Sequence, residues 1–109
     1  MIRATKATKK RLEEWESWAA DRFVRHTTVL EEMIRGAEYY ERNGNSNARF
    51  FYTGDCLYGK ADGSEKPVLR ALNTLFPKLI EVSFTLGLNE VRILDINKLV
   101  KAMIAIAQS

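Results

Sequence analysis

The chain predicts a mainly α fold, a small helical domain of four to five helices with a short central β-hairpin; α+β is the alternative. Three observations carry this. Apolar residues recur at helical spacing through Leu12, Trp15, Ala19, Phe23, His26, Leu30, Met33, Ala37 and Tyr40. A second series runs through Val68, Leu72, Leu75, Leu79, Val82 and Leu86, and the closing segment from Ile96 to Ala107 is apolar on most faces. The 109 residues, 46% apolar, fit one domain able to bury roughly 65% of its unfolded surface.

The first series is too long for one straight helix. About 38 residues would extend about 57 Å, whereas a compact chain near 100 residues has a radius of gyration of about 13 Å. His26, Thr27 and Thr28 are weak helix formers, and Thr28 to Glu31 matches a capping box, so two helices are expected, over about 8–25 and 28–42. Asn43, Gly44 and Asn45 end the second.

The next segment changes character. Asn, Gly, Ser and Asp mark its ends, while Arg49, Phe50, Phe51, Tyr52, Cys56, Leu57, Tyr58 and Lys60 fill its centre. Residues 49–53 and 56–60 read as a hairpin turning at Gly54 and Asp55, which must pack on the helices because an isolated pair is marginal in water.

Pro67 suits the first turn of a third helix, and Pro77 should kink or break it, with a new helix from Pro77. A rival reading exists, in which Ile80, Val82, Phe84 and Leu86 alternate with polar residues as a strand and Val91 to Leu94 return beside it. The helical reading is preferred because the spacing from Val68 continues without a gap. It also gives residues 79–98 the outline of a helix-turn-helix, but the face turned to DNA would carry Asn89, Glu90, Val91, Leu94 and Asp95 with Arg92 as its cation, so a packing corner is the better reading. The last helix, 96–107, should lie centrally in the fold or at an interface between chains.

Charge is unevenly placed. Five of the 17 basic residues, Arg3, Lys6, Lys9, Lys10 and Arg11, precede the first acid, Glu13, and the remaining 12 face 14 acidic groups. Cations at a helix start oppose the macrodipole, so local helix stability does not explain the cluster. Residues 1–8 read as a basic arm, either solvated or reaching for nucleic-acid phosphates. No leader pattern is recognisable and no apolar run is long enough to span a bilayer, so a cytoplasmic protein without a membrane partner is expected.

Trp15 and Trp18 share a helical face, where core packing is the simpler role and stacking or anchoring the other. The run 12–20, LEEWESWAA, resembles the opening of some lambdoid phage late-gene antiterminators, which carry a similar L-E-x-W-x-x-W-A stretch. The likeness is confined to that run, since those proteins are longer and richer in cysteine; it implies a phage or mobile-element origin.

Catalysis fits poorly. His26 falls on the apolar stripe, and Cys56, the single cysteine, has Asp55 beside it, which opposes a thiolate. No metal-ligand spacing appears, so no catalytic residues, metal or cofactor are assigned. The sequence is therefore read as a small non-enzymatic adaptor, inhibitor or regulator that binds an unidentified protein and pairs with itself. The alternative is a nucleic-acid-binding regulator. Contact residues for either are Arg3, Lys6, Lys9, Lys10, Arg11, Arg49, Phe50, Phe51, Tyr52, Tyr58 and Lys60.

Overall fold

Two helices, a hairpin, a helix, a second hairpin and a last helix follow one another in a computed structural model that describes residues 4–19, 26–44 and 48–107. Thr5 opens α1 (Lys6–Ala19): its hydroxyl oxygen accepts the Thr8 backbone N–H at 3.1 Å, satisfying a donor that the first turn leaves orphaned. Residues 6–8 thus form the first turn of α1, where Thr8 is buried and donates to Asn97 Oδ1 at 2.6 Å. α2 (His26–Asn43) begins two residues before the expected capping box. Gly44, at φ 60°, closes it by donating to the Tyr40 carbonyl, in the left-handed conformation that glycine adopts most easily. The expected break between the helices is supported by Lys9 pairing with Glu38, which one straight helix would hold roughly 44 Å away. Arg3, Phe23 and the side chains of Trp15, Trp18, Ala19 and His26 lie outside the described residues.

The hairpin forms at its expected position, with β1 (Phe50–Thr53) and β2 (Cys56–Lys60) joined at Gly54, φ 60°. α3 (Lys66–Leu75) carries Pro67 in its first turn and stops before Pro77. Beyond it the helical expectation is overturned. Phe76 accepts the backbone N–H groups of Leu79 and Ile80, turning the chain into β3 (Ile80–Ser83), which pairs antiparallel with β4 (Glu90–Ile93). The helix-turn-helix outline over 79–98 disappears with it. Asp95, placed on a DNA-facing surface by that outline, instead caps α4 (Ile96–Ala107), accepting the Lys98 N–H at 3.1 Å.

The protein is therefore α+β rather than mainly α, with one four-stranded antiparallel sheet in the order β1-β2-β4-β3. β4 inserts between β2 and β3, pairing Leu57 with Ile93 and Gly59 with Val91 on one side, Ile80 with Ile93 and Val82 with Val91 on the other. The physical reason is twofold. Pro77 cannot continue a helix, and the alternation of 80–86 places Ile80 and Val82 on the same side as Val91 and Ile93, facing the core, with α3 packed on β3. The core joins Leu12, Leu30, Met33, Leu57, Leu69, Leu72, Ile80, Ile93, Ile96, Leu99 and Met103. Burial of Ile96, Leu99, Val100 and Met103 within one chain accounts for much of the apolar character of α4. No described helix is long and apolar enough to cross a membrane.

Candidate interaction surface

Because strand side chains alternate, the residues of β1 divide between two environments. Phe50 is 2% exposed and lies against Gly36 of α2, and Tyr52 faces the same way, accepting the Ala4 backbone N–H on its hydroxyl at 3.3 Å. Phe51 points to the opposite face. The register sets Phe51 beside Tyr58, Tyr58 beside Arg92 and Arg92 beside Glu81, one row across all four strands. Flanking rows bring in Thr53 with Cys56, and Lys60 with Glu90 and Ser83. The described helices pack on the other side, so no described helix lies over this row.

The row has internal order. The Phe51 and Tyr58 rings lie 5.3 Å apart at 57°, and Tyr40 reaches from α2 to Phe51 at 5.7 Å. Such tilted pairs favour the ring edge against a neighbouring face. The Glu90 carboxylate accepts the Tyr58 hydroxyl, and that bond, with partial desolvation and the carboxylate's charge, pushes the phenol pKa above its ordinary value. Arg92 hydrogen-bonds the Cys56 sulfur and faces Glu81, interactions that raise the guanidinium pKa further. Phe51, Thr53, Cys56, Tyr58 and Arg92 together line an open hollow of about 360 Å³. The charged groups are mixed, Lys60 and Arg92 against Glu81 and Glu90.

Of the residues singled out from sequence, the structure gathers only Phe51, Tyr58 and Lys60 here. Phe50 and Tyr52 belong to the core side. Arg49 is engaged elsewhere: its guanidinium donates to both carboxylate oxygens of Glu65 at 2.7 and 3.4 Å and to the Lys60 carbonyl at 3.3 Å, over the Phe50 ring. Glu65, only 2% exposed, also accepts the Asp62 N–H, so this cluster joins the end of β2 to the start of α3. Lys6, Lys9, Lys10 and Arg11 lie on α1, which packs on α2 and α4 in the helical layer. The basic helix and the ring pair are thus on opposite sides of the sheet.

Arg92, Glu81 and Glu90 were not recognised from sequence as neighbours of the rings. Their signal was the alternation in 80–94, which puts them on the polar side of both strands. A second hollow of about 210 Å³ lies between α1 and α2, lined by Lys9, Leu12, Glu13, Glu31, Ile34, Arg35 and Glu38; Leu12 and Ile34 are buried, so its accessible walls are charged side chains and their stems. Among the described residues no group of three or more His, Cys, Asp or Glu is placed to hold a metal ion. No protein-family model, curated protein or solved structure matches the chain.

Proposed function

We propose that the protein is a small non-enzymatic adaptor, inhibitor or regulator that docks another polypeptide on the open face of its sheet. The row of Phe51, Tyr58, Arg92 and Glu81 carries this reading. Aromatic side chains and arginine are the residues that dominate protein interfaces when they sit at the centre, and a mixed-charge rim gives orientation. Here the rings hold each other, Arg92 is steadied by Cys56 and Glu81, and a partner would meet a surface ordered before it arrives.

Binding of single-stranded nucleic acid is the second reading, because a ring pair beside an arginine is a stacking platform. The carboxylates of Glu81 and Glu90 oppose phosphates on that same face, and the cations of α1 are on the far side of the sheet, so a polypeptide is the better fit.

The test is affinity capture from the source organism with the wild type, the Phe51→Ala/Tyr58→Ala variant and Lys101→Glu, an exposed control on α4. The expected result is a partner retained by the control and lost from the ring variant. An identical set of captured proteins from all three would remove the assignment. Salt-sensitive binding of labelled oligonucleotides that requires Phe51 and Tyr58 would favour the second reading.

A further inference from the structure

The strand order β1-β2-β4-β3 leaves β3 at an edge of the sheet, where α3 packs on it. Hydrogen bonds at either end of the β3–β4 ladder fix which of its backbone groups face outward. Leu94 N–H donates to the Leu79 carbonyl at 2.9 Å, and Leu88 N–H to the Thr85 carbonyl at 3.0 Å. Bonded positions recur at every second residue of an antiparallel pair, so Leu79, Glu81, Ser83 and Thr85 turn their N–H and C=O groups towards β4. Ile80, Val82 and Phe84 turn theirs away from the sheet. A row of outward backbone groups is a template on which another chain can add a strand.

The row is interrupted at its first position. Ile80 N–H donates to the Phe76 carbonyl at 3.2 Å, and the Ile80 carbonyl accepts the Asn73 side-chain amide, Nδ2, at 2.8 Å. Both outward groups of Ile80 are therefore taken by the chain itself, one by the turn that leaves α3 and the other by a side chain reaching across from that helix. Asparagine is a weaker helix former than alanine, and Asn73 sits in the last turns of α3 with its amide spent on the strand edge rather than on its own helix. Val82 and Phe84 have no such partner among the described residues. The consequence is clearest for two copies lying β3 against β3. An antiparallel pairing centred on Val82 would set Val82 opposite Val82 and, on each side of it, Ile80 opposite Phe84, each pair exchanging two bonds. With Ile80 occupied in both copies, only the bonds between the two valines remain. Without the Asn73 amide, each Ile80 carbonyl could also accept a Phe84 N–H, and the ladder would double. We infer that Asn73 guards the edge of the sheet: its amide occupies the Ile80 carbonyl and so keeps β3 from pairing with β3 of a second copy of this chain. The guard acts at the edge, independently of what the sheet face binds.

The experiment is sedimentation equilibrium from about 10 μM to about 1 mM, with amide hydrogen exchange, on the wild type, Asn73→Ala, Asn73→Ser and Asn73→Ala/Val82→Pro. Alanine favours the helix and one hydrogen bond is lost, so Asn73→Ala should remain folded. Its self-association should exceed that of the wild type at least about tenfold, from two backbone bonds gained. Asn73→Ser, too short to reach the carbonyl, should behave in the same way. The amides of Val82 and Phe84, exchanging fast in the wild type, should become protected in both single variants as concentration rises. Val82→Pro deletes an outward N–H and leaves the β3–β4 bonds in place, as proline does where an edge strand tolerates it, so the double variant should return to wild-type association. Val82 and Phe84 amides already protected in the dilute wild type would overturn the inference, because the edge would then be covered by something else. Added association that Val82→Pro leaves intact would also overturn it. So would lowered stability without added association in Asn73→Ala and Asn73→Ser, which would make Asn73 a tether between α3 and β3 and nothing more.

Discussion

Phe50 and Phe51 are the same residue type, adjacent in one strand, and they meet opposite fates. Phe50 is closed between α2 and the sheet, beneath the Arg49 guanidinium; Phe51 stands on the uncovered side with Tyr40 and Tyr58. The difference is set by period-two geometry and by which side the helices occupy. It teaches that a run of aromatics is not one feature. Half of it holds the molecule together and half is available to something else.

Substitutions can break or sharpen that contrast. The largest effect is expected at Phe50→Ala, which empties a filled core position and should lower stability by about 3–5 kcal/mol in denaturant unfolding. Gly59→Ala comes next. Gly59 lies opposite Phe50, and an added methyl would collide with the Arg49 carbonyl and the Phe50 ring, so a loss of about 1–3 kcal/mol is expected. Gly36→Ala tests the same contact from the helix side with the opposite sign. Its methyl would sit 3.5 Å from Phe50 in ordinary contact, and replacing glycine inside α2 should raise stability by about 0.5–1 kcal/mol.

On the open face the expected changes in stability are small. Phe51→Ala should cost about 1–2 kcal/mol, because it removes one tilted ring contact on either side and leaves the core intact. A drop as large as that of Phe50→Ala would show that the two faces are not distinct. Tyr58 gives the finest probe. With its phenol pKa raised, the hydrogen bond to Glu90 is fully present below the ordinary phenol range, near 10, and is lost as pH rises through the higher folded value. Ultraviolet titration of the wild type should show a late tyrosine component that Tyr58→Phe removes; a titration unchanged by that substitution would contradict the Glu90 contact.

Local signals were readable and long-range ones were not. The turn at Gly54, the stop at Gly44, the start at Pro67 and the largely apolar helix α4 all act within a few residues, and each falls where the sequence places it. β3 and β4 are obscured because the apolar positions from Val68 to Leu86 satisfy helical and strand spacing together, and the deciding fact is the insertion of β4 between β2 and β3, whose β2 side joins partners such as Leu57 and Ile93 that are distant in sequence. The same pairing hid the site. Phe51 and Tyr58 were identifiable as part of an aromatic segment, but their separation from Phe50 and Tyr52 depends on which side the helices cover, and Arg92 joins them only through the β2–β4 register. In the helical reading Arg92 was merely a lone cation among acids.

The central claim is that the uncovered sheet face serves contact while the covered face serves folding. It is tested most directly by measuring unfolding and partner binding together on Phe51→Ala/Arg92→Gln. The account predicts an unfolding midpoint well above that of Phe50→Ala, with binding lost. Binding retained at wild-type strength, or an unfolding midpoint lowered as far as that of Phe50→Ala, would contradict it.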